Sequence, residues 1–162
     1  MSAANLLQLL ESKGLKLAIA ESLTGGLLCS ELVAVSGASK VVLGSVVAYQ
    51  TGLKASNLGV NPQLLESNGA VDPEVAVQMA EGIRSRMSLQ LLLATDTVLG
   101  VSTTGVAGPD EQDGKSVGTV FIAVAGKLGV KVWEEHFSGD RASIRTQSVS
   151  SAISHIGEYL TG

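Results

Sequence analysis

The sequence predicts an α/β fold: a single layered α/β/α domain, residues 1–162, built on a mixed sheet. Three observations carry this. Helix-like and strand-like segments alternate through the first hundred residues. Leu15–Ala20 is an apolar run of the kind found in a buried strand. Near the C-terminal end, β-branched runs flank Gly126-Lys127-Leu128-Gly129, a hairpin signal that adds an antiparallel pair to the sheet.

Taken in order, Leu6, Leu7, Leu9 and Leu10 fit one face of a short helix that stops at Gly14. Leu15–Ala20 is the first strand. The polar turn Glu21-Ser22-Leu23-Thr24-Gly25-Gly26 follows, and a helix is expected from Thr24 to about Val35. Val41–Tyr49 is a second strand, and Gly52–Leu58 a short helix. Asn61-Pro62 sets an N-cap before a proline at the first helical position. Asp72-Pro73-Glu74 repeats the signal and opens a long helix through Val75, Met79, Ile83 and Met87, as far as Leu93. Val98–Ser102 is a strand that ends in a turn at Thr103–Pro109. Asp110–Lys115 reads as a mobile polar loop, Val117–Ala125 and Val130–Phe137 as the hairpin. Ser138-Gly139-Asp140 caps a last helix with Ile144, Val149, Ile153, Ile156 and Leu160 on one face.

Composition narrows the function classes. Aromatics are only 3% of residues, so the core must come from Val, Leu, Ile and Ala. The formal charge of -4, with no Lys/Arg block, gives no footprint for nucleic acid. Mean hydropathy is +0.34, yet apolar runs break within ten residues, too short to span a bilayer. No secretory signal is read at the N-terminus, so a cytoplasmic location is the expectation. Cys29 is the one cysteine, which leaves no internal disulfide and no Cys-based zinc cluster. No metal-ligand or Walker motif occurs, so neither metal nor cofactor is expected. Positive hydropathy with 16% charged residues leaves apolar surface to cover, which points to a homodimer or higher homo-oligomer.

Four polar turns hold the candidate chemistry: Glu21–Gly26, Tyr49–Lys54, Thr103–Pro109 and Ser138–Arg141. Three directly follow predicted strands, so they can converge on one cleft at the carboxyl edge of the sheet. Ser22 fits either an N-cap or a nucleophile, and a nucleophile needs a base. No Ser-His-Asp set is evident, since His136 alternates within a strand and His155 lies in the last helix. Lys54 is the available base if burial or a neighbouring cation such as Arg141 lowers its pKa; otherwise it is a solvated lysine. Tyr49 is a half-buried strand end or the lysine's partner. Glu21 either orients Ser22 or Lys54, or sits at a helix start. Thr104-Gly105 and Gly108-Pro109 form a second glycine turn with amides that can meet an anion. Arg141, in a helix's first turn, opposes the helix dipole unless an anion neutralises it, which favours it over Arg145 as an anion ligand.

Five motifs in order then carry a resemblance. They are Ala20-Glu21-Ser22-Leu23-Thr24-Gly25-Gly26; Val47-Ala48-Tyr49 with Lys54; Thr104-Gly105-Val106-Ala107-Gly108-Pro109-Asp110; Val117-Gly118-Thr119-Val120; and Phe137-Ser138-Gly139-Asp140-Arg141. From about Leu6 to Leu160 the chain resembles the CinA C-terminal domain family, which includes the stand-alone nicotinamide-nucleotide amidases called PncC. The resemblance implies hydrolysis of the carboxamide of nicotinamide mononucleotide to nicotinate mononucleotide and ammonia. It implies Ser22 as nucleophile, Lys54 as general base and Tyr49 as the residue that positions or relays the proton. It implies Arg141 at the substrate phosphate, with the backbone of Thr24, Gly25 and Gly26 and of Thr104, Gly105 and Gly108 holding oxyanion or phosphate. It also points to self-association. The N-terminal domain of full-length CinA proteins has no counterpart in these residues, so its pyrophosphatase activity is not carried over. Many members read Tyr-Ser-Asn-Glu-Ala-Lys where this chain has Tyr49-Gln50-Thr51-Gly52-Leu53-Lys54, and Glu111-Gln112-Asp113-Gly114 replaces a usual glycine pair. The competing reading is a non-catalytic regulatory or interaction domain of the same family.

Overall fold

The computed structural model describes all residues, 1–162. The elements run α1 (Ala3–Ser12), β1 (Lys16–Glu21), α2 (Leu27–Val33), β2 (Val42–Val47), α3 (Thr51–Leu58), α4 (Pro62–Asn68), α5 (Pro73–Gln90), β3 (Val98–Gly105), β4 (Thr119–Gly126), β5 (Gly129–His136) and α6 (Arg141–Thr161). The strands form one sheet in the order β2-β1-β3-β4-β5. β1 runs parallel to both β2 and β3, while β4 is antiparallel to β3 and β5. The mixed sheet and flanking helices are the architecture the sequence predicts. The parallel pairs need crossovers, which α2 and then α3 to α5 supply.

Side-chain alternation along β1 sorts the two layers. Leu17 and Ile19 join Leu6, Leu10, Leu28, Leu32 and Ile144 in the larger core, on the side of α1, α2 and α6. Ala18 and Ala20 face the other way, with Met79 and Ile83 of α5 and Leu58 of α3. That second face is lined with small residues, so α5 sits close to the sheet. A Cβ built on Gly100 would stand 2.0 Å from the Ala80 carbonyl oxygen. Ser102 Oγ donates to the Ala76 carbonyl at 2.6 Å. Few aromatics suffice because close approach of backbones, not bulk, fills this layer. No helix is long and apolar enough to cross a membrane.

The local start signals hold. Asn61 accepts from the Gln63 N–H, Asp72 from those of Glu74 and Val75, and Asp140 from that of Ser143. Several boundaries move; β2 ends at Val47, so Tyr49 lies past the strand, and β4 starts at Thr119 rather than Val117. α2 begins at Leu27 rather than Thr24, because Gly25 and Gly26 take φ of +60° and +96°, outside the helical region. α5 ends at Gln90, short of Leu93. β3 continues through Gly105, so Thr103, Thr104 and Gly105 are strand and not turn. Their partners Ile122, Phe121 and Val120 on β4 supply the pairing that sequence could not reveal.

Candidate active site

Because β1, β2 and β3 are parallel, the chain leaves all three at the same edge of the sheet. Residues from all four predicted turns meet there, around a cleft of about 170 Å³. Ser22, Tyr49, Lys54, Thr104, Gly108 and Arg141 line it. Asp110 and Gln112 reach it from the 110–115 segment. That segment is tied down: Gln112 and Lys115 pair through their backbones, and Asp113 Oδ2 accepts from the Ala70 N–H at 2.9 Å.

Lys54 projects from α3 into the interior and is 1% exposed. Its Nζ donates to Ser22 Oγ at 3.0 Å and to the Ala48 carbonyl at 2.8 Å. No carboxylate forms an ion pair with it. Loss of solvent brings its pKa down to about 8, against a smaller opposing pull from the Asp113 charge. Of the two causes the sequence offered, burial or a neighbouring cation, burial is the one that lowers it.

Ser22 is not an N-cap. Gly26 occupies that position on α2, with no side-chain cap. The Ser22 backbone continues the β1–β3 ladder, with its N–H donating to the Thr103 carbonyl at 3.0 Å, and this holds its Cβ at the cleft. Glu21, fully buried, orients neither Ser22 nor Lys54 by direct contact. Its carboxylate accepts from the N–H groups of Gly26, Leu28 and Cys29 and from Ser45 Oγ, at 3.0–3.1 Å. It is an anion clamped at a helix N-terminus, and it fixes where α2 begins.

Of the expected anion cradle at Thr24, Gly25 and Gly26, both glycine amides are already taken. The Gly25 N–H goes to the Ser22 carbonyl and the Gly26 N–H to Glu21. Thr24 Oγ1 is paired with Thr103 Oγ1 at 2.8 Å. The free donors lie one step earlier: the N–H groups of Leu23 and Thr24 have no acceptor in the protein, although both residues are buried. In the second segment Thr104 spends its hydroxyl on the Ala70 carbonyl at 2.7 Å. There the unpaired amides belong to Ala107 and Gly108, past the strand end.

Tyr49 is 59% exposed, at the mouth of the cleft. No hydrogen bond joins it to Ser22 or Lys54. Instead Arg141 Nη2 donates to its hydroxyl at 2.8 Å, and Arg141 Nη1 to the Gly108 carbonyl at 2.8 Å. Sequence reasoning missed Arg145, whose Nε and Nη2 donate to the carbonyls of Leu23 and Thr24. It sits one turn of α6 beyond Arg141, but nothing in its local sequence shows a carbonyl partner 122 residues away. The histidines lie elsewhere: His155 stacks on Trp133 and bonds Glu135, and His136 pairs with Glu134. Cys29 is half-buried, with burial raising its thiol pKa.

Residues 1–160 match the CinA C-terminal domain. A CinA-like protein of Frankia casuarinae is 44% identical over 156 residues, covering 96% of this chain and 34% of the relative. The chain thus spans about a third of the length of the curated relatives it matches. Among solved structures, the competence/damage inducible protein CihA of Agrobacterium tumefaciens superposes with TM-score 0.87 at 31% identity, over 99% of this chain and 93% of that one. A competence-damaged protein (CinA) superfamily protein of Escherichia coli gives TM-score 0.87 at 31% identity, over 98% and 90%. With its sheet order, its buried Ser22–Lys54 pair and these likenesses, the chain belongs to the CinA C-terminal domain family.

Proposed function

We propose that this domain is a serine amidohydrolase that converts nicotinamide mononucleotide to nicotinate mononucleotide and ammonia. One observation carries the reading: a buried lysine with no counter-ion, its pKa brought near 8, stands 3.0 Å from a serine hydroxyl in a cleft. A neutral amine there accepts the Ser22 proton as Oγ attacks the carboxamide carbon, while Ala48 keeps the amine oriented. The negative charge on the carbonyl oxygen falls to the unpaired N–H groups of Leu23 and Thr24. Buried amides without partners are rare, and a ligand oxygen is what such donors lack. The Lys54 ammonium returns its proton to the departing nitrogen, and ammonia leaves. Water, deprotonated by the same amine, then cleaves the Ser22 ester to give the carboxylate.

The nucleotide substrate is drawn from the family resemblance, and two features of the cleft support it. Its volume of about 170 Å³ is below the ~300 Å³ at which pockets enclose a drug-sized ligand. A pyridine ring and its carboxamide suit the interior, and the ribose phosphate extends to the rim. At that rim Arg141, braced by Tyr49 and Gly108, presents a guanidinium with donors to spare, beside the free amides of Ala107 and Gly108. In this arrangement Tyr49 serves Arg141 rather than a proton relay.

The test is ammonia release from nicotinamide mononucleotide, with chelator present, by wild type and Ser22→Ala. Wild type should turn over and the variant fall to background while remaining folded, its melting temperature lowered only by the lost Lys54 hydrogen bond, since Ser22 caps no helix. No ammonia from wild type across a range of pH returns the domain to the non-catalytic reading.

A further inference from the structure

Arg145 lies on the second turn of α6, half-buried, and contributes no atom to the cleft lining. No carboxylate is within ion-pair distance of it. Its partners are two successive carbonyls of the turn that carries Ser22: Nε donates to Leu23 at 3.0 Å and Nη2 to Thr24 at 2.9 Å. A Cβ on Gly25 would stand in ordinary van der Waals contact with Nη2, at 3.4 Å, so the guanidinium packs directly over this turn. A rigid planar fork on two adjacent carbonyls fixes the orientation of the peptide planes that contain them.

The peptide between Leu23 and Thr24 is trans, so its N–H points opposite to its C=O. Arg145 holds that C=O, and so it sets the direction of the Thr24 N–H, one of the two buried donors without an acceptor. From the far side Glu21 takes the N–H groups of Gly26, Leu28 and Cys29. Between these two anchors Gly25 and Gly26 take left-handed φ of +60° and +96°, a conformation that turns the chain from the serine into α2. Rotation of the 23–24 peptide would require breaking the Arg145 contact.

We infer that Arg145 is a positioning residue that clamps the Leu23–Thr24 peptide so that its free N–H receives the oxyanion formed when Ser22 attacks an acyl carbon. This rests on the serine-nucleophile reading but not on the identity of the substrate. Arg145 itself touches neither nucleophile nor cleft.

The experiment is covalent labelling of Ser22 by a fluorophosphonate, whose phosphoryl oxygen uses the same donors, followed by intact mass. Wild type, Arg145→Lys and Arg145→Met are compared, with kcat and KM for nicotinamide mononucleotide and melting temperature measured alongside. Wild type should be labelled on Ser22. Both variants should react about 10²-fold more slowly, the scale of losing one preorganised donor. In turnover, kcat should fall with KM held within about threefold, as for a contact made only in the transition state. Lysine keeps the charge but not the fork, so a slow Arg145→Lys enzyme with a wild-type melting temperature separates the clamp from bulk stability. If the methionine variant does not fold, the lysine variant still decides. Labelling of Arg145→Lys at the wild-type rate overturns the inference, as does a wild-type Ser22 inert to the probe. Slowed labelling in a protein that leaves the mononucleotide intact upholds the clamp and removes the substrate assignment.

Discussion

At Lys54 the chain accepts an electrostatic cost in order to hold an amine in the cleft. The ammonium is almost wholly buried at the floor of the cleft, with a hydroxyl and a carbonyl as its partners. Its folded pKa of about 8 lies below the ordinary value of about 10.4. Between those two values the unfolded chain binds more protons, so this group makes stability rise with pH across about 8 to 10.4. The burial penalty is fully present below about pH 8. Lys54→Met is therefore expected to be dead, and its advantage or deficit in stability relative to wild type should shift in favour of wild type from pH 8 to 10. The shift is up to about 1.4 kcal/mol per pH unit, read by urea unfolding at several pH values. Wild-type turnover should climb with pH to a midpoint near 8 and then level off. Turnover unchanged from pH 6 to 10 would exclude Lys54 as the base.

The elements show how far local code reaches. The starts of α4, α5 and α6 were legible because a cap needs only a side-chain oxygen and the next few amides. The start of α2 was not, because Thr24 looks like a helix opener while two left-handed glycines delay the helix to Leu27. The closeness of α5 to the sheet was equally hidden. It depends on Gly100 meeting the Ala80 carbonyl and Ser102 bonding Ala76, contacts between segments some twenty residues apart. Gly100→Ala is expected to push α5 off β3 and destabilise the protein by about 1–3 kcal/mol, measured by urea unfolding. The site lies at the strand ends rather than under this face, so turnover per folded molecule should hold. An unchanged unfolding midpoint would mean that the layers are looser than the backbone contacts require.

For the whole molecule, Val47, Tyr49 and Leu53 are exposed apolar or aromatic side chains, Tyr49 at the cleft mouth, and Leu89, Leu91 and Leu92 are exposed at and just past the end of α5. β2 and β5 are sheet edges, and β5 is largely exposed. We expect self-association, with light scattering at micromolar concentration giving at least twice the 16.5 kDa chain mass; a monomer mass would contradict it. Taken alone, the sequence determined the element order, the mixed sheet and the family, and through the family resemblance it raised the expectation that Ser22 and Lys54 act together. Those follow from periodicity, from caps and turns a few residues long, and from motifs in fixed order. Only the tertiary structure decided the rest. It moved Tyr49 from Lys54 to Arg141, closed Gly25 and Gly26 to ligands, and left Leu23 and Thr24 as the free donors. It also brought Arg145 to their carbonyls. The reason is physical: which amides and side chains remain unpaired is the remainder after every long-range hydrogen bond has formed, and no local segment contains that remainder.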